Sequence, residues 1–301
     1  LLLSIVVALL NFGILFAVYV REIGFPRFQI DMSLWKEFLK ESLPIAVSSL
    51  GISMYTFIGV TVLKYTRGDI EVGIYTAGYK LISILTLIPI TFSQIVYPIF
   101  SEFTSNAKHK LLKALQDSLR VIAEISIPLA VGIVLLAPKV ISLVYPNSFE
   151  SASTVLRLII CGEAFVYMAW IVYVFLLALG YQKICMWISI SIAIMSFGMN
   201  VIVVPQFGYL GVAFTIMVTD FLLLIIYVFY LIKVGFTIGN FADYIKILIA
   251  SAIMGIVLFF IKDWYLIPVI LVGFGLYFVV MLVVRGFGDQ EKEFLARIFS
   301  R

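Results

Sequence analysis

Nine long apolar stretches divide the chain, at roughly 1–20, 43–63, 74–102, 120–138, 153–179, 184–204, 209–232, 244–261 and 264–284. Each meets or approaches the ~20 residues a helix needs to cross ~30 Å of hydrocarbon. Threading them alternately puts Arg21, Arg27, Lys36, Lys40, Lys108, Lys110, Lys113, Arg120, Lys183, Lys233, Lys246, Arg285, Lys292, Arg297 and Arg301 on one face. Only Lys64, Arg67, Lys139 and Lys262 fall on the other. Fifteen against four is a strong positive-inside bias, so the first face is expected to be cytoplasmic, with the C-terminus inside. The expected fold class is therefore all-α, a polytopic membrane bundle of about nine transmembrane helices in the plasma membrane.

Hydrophobic residues make up 63% of the chain and charged ones 13%, half the charged share of ordinary soluble domains. That excludes a soluble enzyme and a disordered chain alike. The net charge of +4 arises in loops that face anionic lipid, and so is no argument for nucleic acid. Cys161 and Cys185 lie within spans with no pairing motif near them, as buried thiols do. The chain opens on Leu1 inside an apolar run, without the charged flank or cleavage site of a signal peptide. It reads as the C-terminal part of a longer protein, one that has lost an odd number of earlier spans.

The longer connections fall on the cytoplasmic side. Residues 33–43 place Leu34, Trp35, Phe38, Leu39 and Leu43 on one helical stripe, and 107–119 repeat the device with Leu111, Leu112, Leu115 and Leu119. Both read as helices lying in the membrane interface, with docking of a cytosolic partner as the alternative. The longest external link, 139–152, carries the turn signal Tyr145-Pro146-Asn147-Ser148. Prolines interrupt spans at Pro44, Pro89, Pro98 and Pro128. Each removes a backbone donor, tolerable in lipid only where a neighbour or water satisfies the freed carbonyl. Pro89, in mid-span, reads either as a hinge or as a fixed packing kink.

Enzyme signatures are missing. His109 is the only histidine, and neither a phosphate-binding G-x-x-x-x-G-K-[ST] segment nor a Cys/His metal spacing occurs. No enzyme activity, cofactor or metal is expected. What remains is charge inside the membrane: Lys80, Arg157, Glu124, Glu163 and Asp220. Such groups cost ~2.5–3.5 kcal/mol at a helix centre and usually face a bundle interior or water. Lys80, about two turns into its span, reads as a cavity charge. Arg157, one turn from its span's end, reads as a weaker second cation or as a snorkelling side chain. Asp220 sits at mid-span and could pair with Lys80, bind a coupling cation (H⁺ or Na⁺), carry a proton, or serve only in a buried ion pair. Glu163 shares its role as a cavity charge, while Glu124 lies near the cytoplasmic interface. A cavity presenting Lys80 and Arg157 would suit a phosphate or diphosphate.

Residues 200–220, NVIVVPQFGYLGVAFTIMVTD, resemble the N-x3–4-P-x-[FY]-G-x-x-G-[AV]-A segment of polysaccharide exporters in the multidrug/oligosaccharidyl-lipid/polysaccharide exporter superfamily. Segments 73–102, 131–159 and 176–183 (LLALGYQK) are similar to that family's eighth helix, its external turn and its short inner turn. The resemblance implies fourteen helices in two lobes, of which this chain would hold the sixth to the last. Residues 1–20 would close a truncated N-terminal lobe, and 21–42 form a cytoplasmic linker with an interfacial helix. Residues 43–233 would be the C-terminal six-helix lobe, 244–284 two accessory helices, and 285–301 a cytoplasmic tail. It also implies flipping of polyprenyl-linked oligosaccharide or polysaccharide repeat units by alternating access, alongside glycan assembly enzymes. In lipid II flippases the eighth helix carries an arginine in an A-x-x-R-L context; here Ala77-Gly78-Tyr79-Lys80-Leu81 offers Lys80. A cation-coupled multidrug exporter of the same superfamily, or a non-transporting scaffold for glycan assembly, remains as an alternative.

Overall fold

A computed structural model describes residues 2–25, 31–104, 108–284 and 286; the expected tail 285–301 otherwise lies outside the described residues. Nine α-helices and one 3₁₀ turn account for almost all of them, with no strand among the described residues. In order they are α1 (Leu2–Ile23), α2 (Met32–Arg67), α3 (Asp69–Leu85), α4 (Leu87–Thr104), α5 (Lys108–Val144), α6 (Ala152–Ala178), α7 (Gln182–Lys233), α8 (Phe241–Ile261) and α9 (Leu266–Val283). The 3₁₀ turn, Asn147–Phe149, sits between α5 and α6. Eight helical stretches, α3 and α4 counting as one, are long and apolar enough to cross a membrane. This is a multi-pass membrane protein.

The count of nine spans is recovered inside α7. Its 52 residues would reach ~78 Å as one straight helix, far beyond a ~30 Å hydrocarbon core. The chain breaks at Gly208, where φ is 58° and ψ −137°, a backbone state that glycine reaches without steric penalty. Past the break the second arm folds back on the first. A Cβ at Gly211 would stand 3.0 Å from the carbonyl oxygen of Val203, a closeness that only an antiparallel hairpin allows eight residues away.

The chain divides into two compact units, Leu1–Ser42 and Leu43–Arg301. In the first, α1 ends at Gly24, whose N–H donates to Val20 O at 3.0 Å. The start of α2 is capped by Asp31, whose Oδ1 accepts from the N–H groups of Ser33 (2.9 Å) and Leu34 (3.2 Å), satisfying donors that every helix start leaves unpaired. Helix α2 runs on through Pro44 without interruption.

In the second unit α6 is the hub. It is apolar on every side and buried along most of its length, as a helix surrounded by others must be. Around it one apolar cluster includes Phe100, Leu115, Tyr167, Phe175 and Ile188. A second includes Leu63, Tyr75, Ile82, Leu156 and Val212. Helices α8 and α9 pack on α5 through a third cluster that includes Leu136, Ile247, Met254 and Val269. The turn after α6 closes with Gly180 at φ 81°, Tyr181 N–H donating to Leu176 O and Gly180 N–H to Leu177 O. That is the paired bonding of a glycine C-cap.

Candidate functional site

Helices α3 and α4 turn a polar stripe outward. Thr76, Lys80, Ser83, Thr91 and Gln94 are all exposed, at spacings that keep them on one helical face. From Thr76 to Gln94 the stripe extends roughly 27 Å, most of the thickness of a bilayer core. Ser83 bonds back to Lys80 O at 2.7 Å and so needs no further partner. An ammonium and a carboxamide cannot satisfy themselves in this way. The ammonium of Lys80 has no ion-pair or hydrogen-bond partner among the described residues. A face of this kind is tolerable at membrane depth where it meets water rather than lipid. Thr76, Ser83, Thr91 and Gln94 are not evident one by one; their 3.6-residue recurrence inside an apolar span is the sequence signal that finds them.

The two mid-span carboxylates lie on the opposite, buried side. Glu163 is 9% exposed and Asp220 only 2%. Thr86 donates to Glu163 Oε1 at 3.4 Å, while Glu163 Oε2 and Asp220 Oδ1 have no partner among the described residues. Asp220 Oδ2 fits against Gly162, where a Cβ would approach to 2.6 Å, so a side chain at 162 would displace the carboxylate. Glu163 and Asp220 are close enough for their charges to interact. Lys80 is not joined to either among the described residues: it is exposed on α3, while both carboxylates are buried.

Prolines and their freed carbonyls explain several other polar residues. Pro89 removes the donor that would reach Leu85 O, and Tyr167 Oη donates to that carbonyl at 2.6 Å. Pro128 does the same to Glu124 O, which accepts from Tyr277 Oη at 3.0 Å. Pro138 frees Val134 O, which accepts from Arg157 Nε at 3.0 Å. Neighbouring helices thus satisfy three backbone groups that lipid could not. Arg157 is accordingly half-buried and tied to α5. The kink near Pro89 is flanked by two tertiary contacts, Tyr167 on Leu85 O and Thr86 on Glu163.

Charge also organises the two ends of the second unit. At one end Arg67 donates to Pro205 O (2.8 Å) and Gln206 O (3.0 Å). Beside it Glu71 Oε2 accepts from Tyr209 N–H at 2.9 Å. The cation meets the carbonyl end of one α7 arm and the carboxylate the N–H end of the other, as helix dipoles favour. At the other end Arg120 pairs with Glu124 (3.0 Å) and Asp243 (3.9 Å), and Lys246 with Asp243 (3.3 Å). Arg120 also donates to Gly286 O. No group of three or more His, Cys, Asp or Glu able to hold a metal occurs among the described residues.

A solved structure titled lipid II flippase MurJ, inward closed conformation, superposes with a TM-score of 0.72 at 17% identity. The match covers 96% of this chain and 60% of that one, so the chain spans well under two thirds of the neighbour's length. The fold is therefore that of the helical bundle in that structure. Residues 1–104 match the family described as polysaccharide biosynthesis protein, and no curated protein matches the sequence at a significant level. The family match is confined to residues 1–104, and the structural likeness, at 17% identity, shows the fold.

Proposed function

We propose that this chain is part of a transporter that flips polyprenyl-linked oligosaccharide or polysaccharide repeat units from the cytoplasmic to the outer leaflet by alternating access. One observation carries the reading: Lys80, without a partner among the described residues, lies on an exposed polar stripe that runs most of the way through an apolar helix pair. In this reading the stripe lines a water-filled cavity, and Lys80 attracts the phosphate end of the cargo while the apolar tail stays in lipid. Lysine acts there as a mobile point charge, without the planar fork of an arginine. The bond from Arg157 Nε to Val134 O favours a structural part for that residue, with its remaining donors secondary to Lys80 in headgroup binding.

Glu163 and Asp220 are the candidates for a coupling cation, H⁺ or Na⁺. They are buried, and each keeps one oxygen without a partner among the described residues. Residues 43–233 would then form the lobe that carries both sites, with 244–284 as accessory helices and the C-terminus cytoplasmic. The test is the lipid-linked glycan pool, with its leaflet location, in cells lacking the full-length gene. Accumulation on the cytoplasmic leaflet, reversed by the intact gene, is expected. A normal pool and normal surface glycan, where no second flippase compensates, would overturn the reading and favour cation-coupled drug export.

A further inference from the structure

Helices α4 and α5 enclose a groove of about 410 Å³ that the cavity stripe and the carboxylates do not touch. Its α4 wall is the ridge Phe92, Val96, Ile99 and Phe103; its α5 wall includes Lys110, Lys113, Asp117 and Val121. The α4 ridge spans eleven residues, roughly 17 Å. The groove is graded along that length. Lys110, Lys113 and Asp117 stand toward the mouth, with Lys110 Nζ 6.0 Å from the Phe103 ring centroid, and the α4 wall is apolar throughout. The one hydroxyl in the wall, Ser118, already donates to Ala114 O at 2.7 Å.

The surroundings specify the sign of the occupant. At this end of the unit Lys108 stands over Phe236 and Lys233 over Tyr230, while Arg120 and Lys246 are offset by Glu124 and Asp243. Within the mouth itself, Asp117 balances one lysine and leaves one positive charge over. A ligand with one phosphodiester charge and a long apolar chain matches the groove in both charge and grading.

We propose that this groove is a binding site for an anionic bilayer phospholipid, its phosphate between Lys110 and Lys113 and an acyl chain along Phe92, Val96, Ile99 and Phe103. The lipid is a resident ligand, separate from any cargo at Lys80, and the proposal does not depend on what the transporter moves. Anionic lipid would hold the α4–α5 pair at the basic end in place of protein contacts that an open groove lacks.

Native mass spectrometry of the full chain in detergent, titrated with phosphatidylglycerol or phosphatidylcholine bearing the same acyl chains, tests this. Phosphatidylglycerol is expected to bind more tightly. Lys110→Ala should lower its affinity about fivefold, and the Lys110→Ala/Lys113→Ala pair should remove the preference. The matching Lys→Arg pair should keep it, and Ile99→Trp, which fills the groove, should weaken both lipids. Three results would overturn the proposal: equal affinity for the two lipids in the unaltered protein, a preference that survives the double alanine variant, or an Ile99→Trp protein that binds both as before. Displacement of phosphatidylglycerol by equimolar inorganic phosphate, polyprenyl phosphate or an acidic peptide would equally overturn it, pointing to a free-anion, cargo or protein site instead.

Discussion

Lys80 and the Glu163–Asp220 pair are charges within the same helical unit, yet the protein treats them in opposite ways. Lys80 is exposed, without a partner among the described residues, and set in a stripe of other polar groups. The carboxylates are buried, Glu163 beside Thr86 and Asp220 seated on the bare backbone of Gly162. An exposed charge can adapt to a ligand that arrives and leaves. A buried one is held by packing, so changes in its charge or partner must be absorbed by the helices themselves. Under the proposed function, that difference suits attraction of a bulky anion at the first site and coupling to a small cation at the second.

The largest expected effect is at the buried site. Asp220→Asn keeps the shape but not the charge, and should cut glycan export by roughly a hundredfold, the upper range for coupling between sites. Export measured against an imposed Na⁺ or proton gradient checks this; an unchanged, gradient-dependent rate would reduce Asp220 to a packing group and end the contrast. Lys80→Ala should lower export roughly tenfold, the scale of one hydrogen bond to a charged group, with protein level unchanged. Lys80→Arg should restore most of it, whereas unaltered export in the alanine variant would remove Lys80 from the site.

Smaller effects sharpen the contrast. Tyr167→Phe leaves Leu85 O without its donor and should destabilise the bundle by about 1 kcal/mol, read by unfolding in detergent. With Pro89→Ala present the same change should have little effect, because the N–H that alanine restores recovers that carbonyl; equal losses in both backgrounds would mean that Tyr167 matters for packing alone. Smallest of all is Lys64→Ala. Its pair with Asp69, at 3.5 Å, is 64% and 84% exposed, and such pairs contribute less than about 1 kcal/mol. A large export defect there would show that any exposed cation matters, and would break the special status of Lys80.

Gly208 shows how far the sequence carries. The apolar runs on either side of Pro205-Gln206-Phe207-Gly208 already demand two crossings, because one helix of that length exceeds the bilayer. What closes the turn is Arg67 and Glu71, some 138 residues earlier, and no local pattern announces them. Pro89 is similar: its loss of a donor is plain from the residue type, but the reply from Tyr167 on another helix is not. For Arg157, hydropathy places the residue near a span's end, while its engagement with Val134 O depends on how α5 and α6 pack.

By itself, then, the sequence determined the class of solvent and the run of long apolar helices. Those follow from summed apolar length and charge, which act locally and add along the chain. It also held the stripe from Thr76 to Gln94, since a single helix's periodicity is enough to align it. Only the tertiary structure decided which charges are open and which are sealed, which carbonyl each tyrosine or arginine satisfies, and where α4 and α5 leave a groove. The reason is physical: burial and hydrogen-bond partnership are properties of two surfaces meeting, and a one-dimensional pattern describes only one of them.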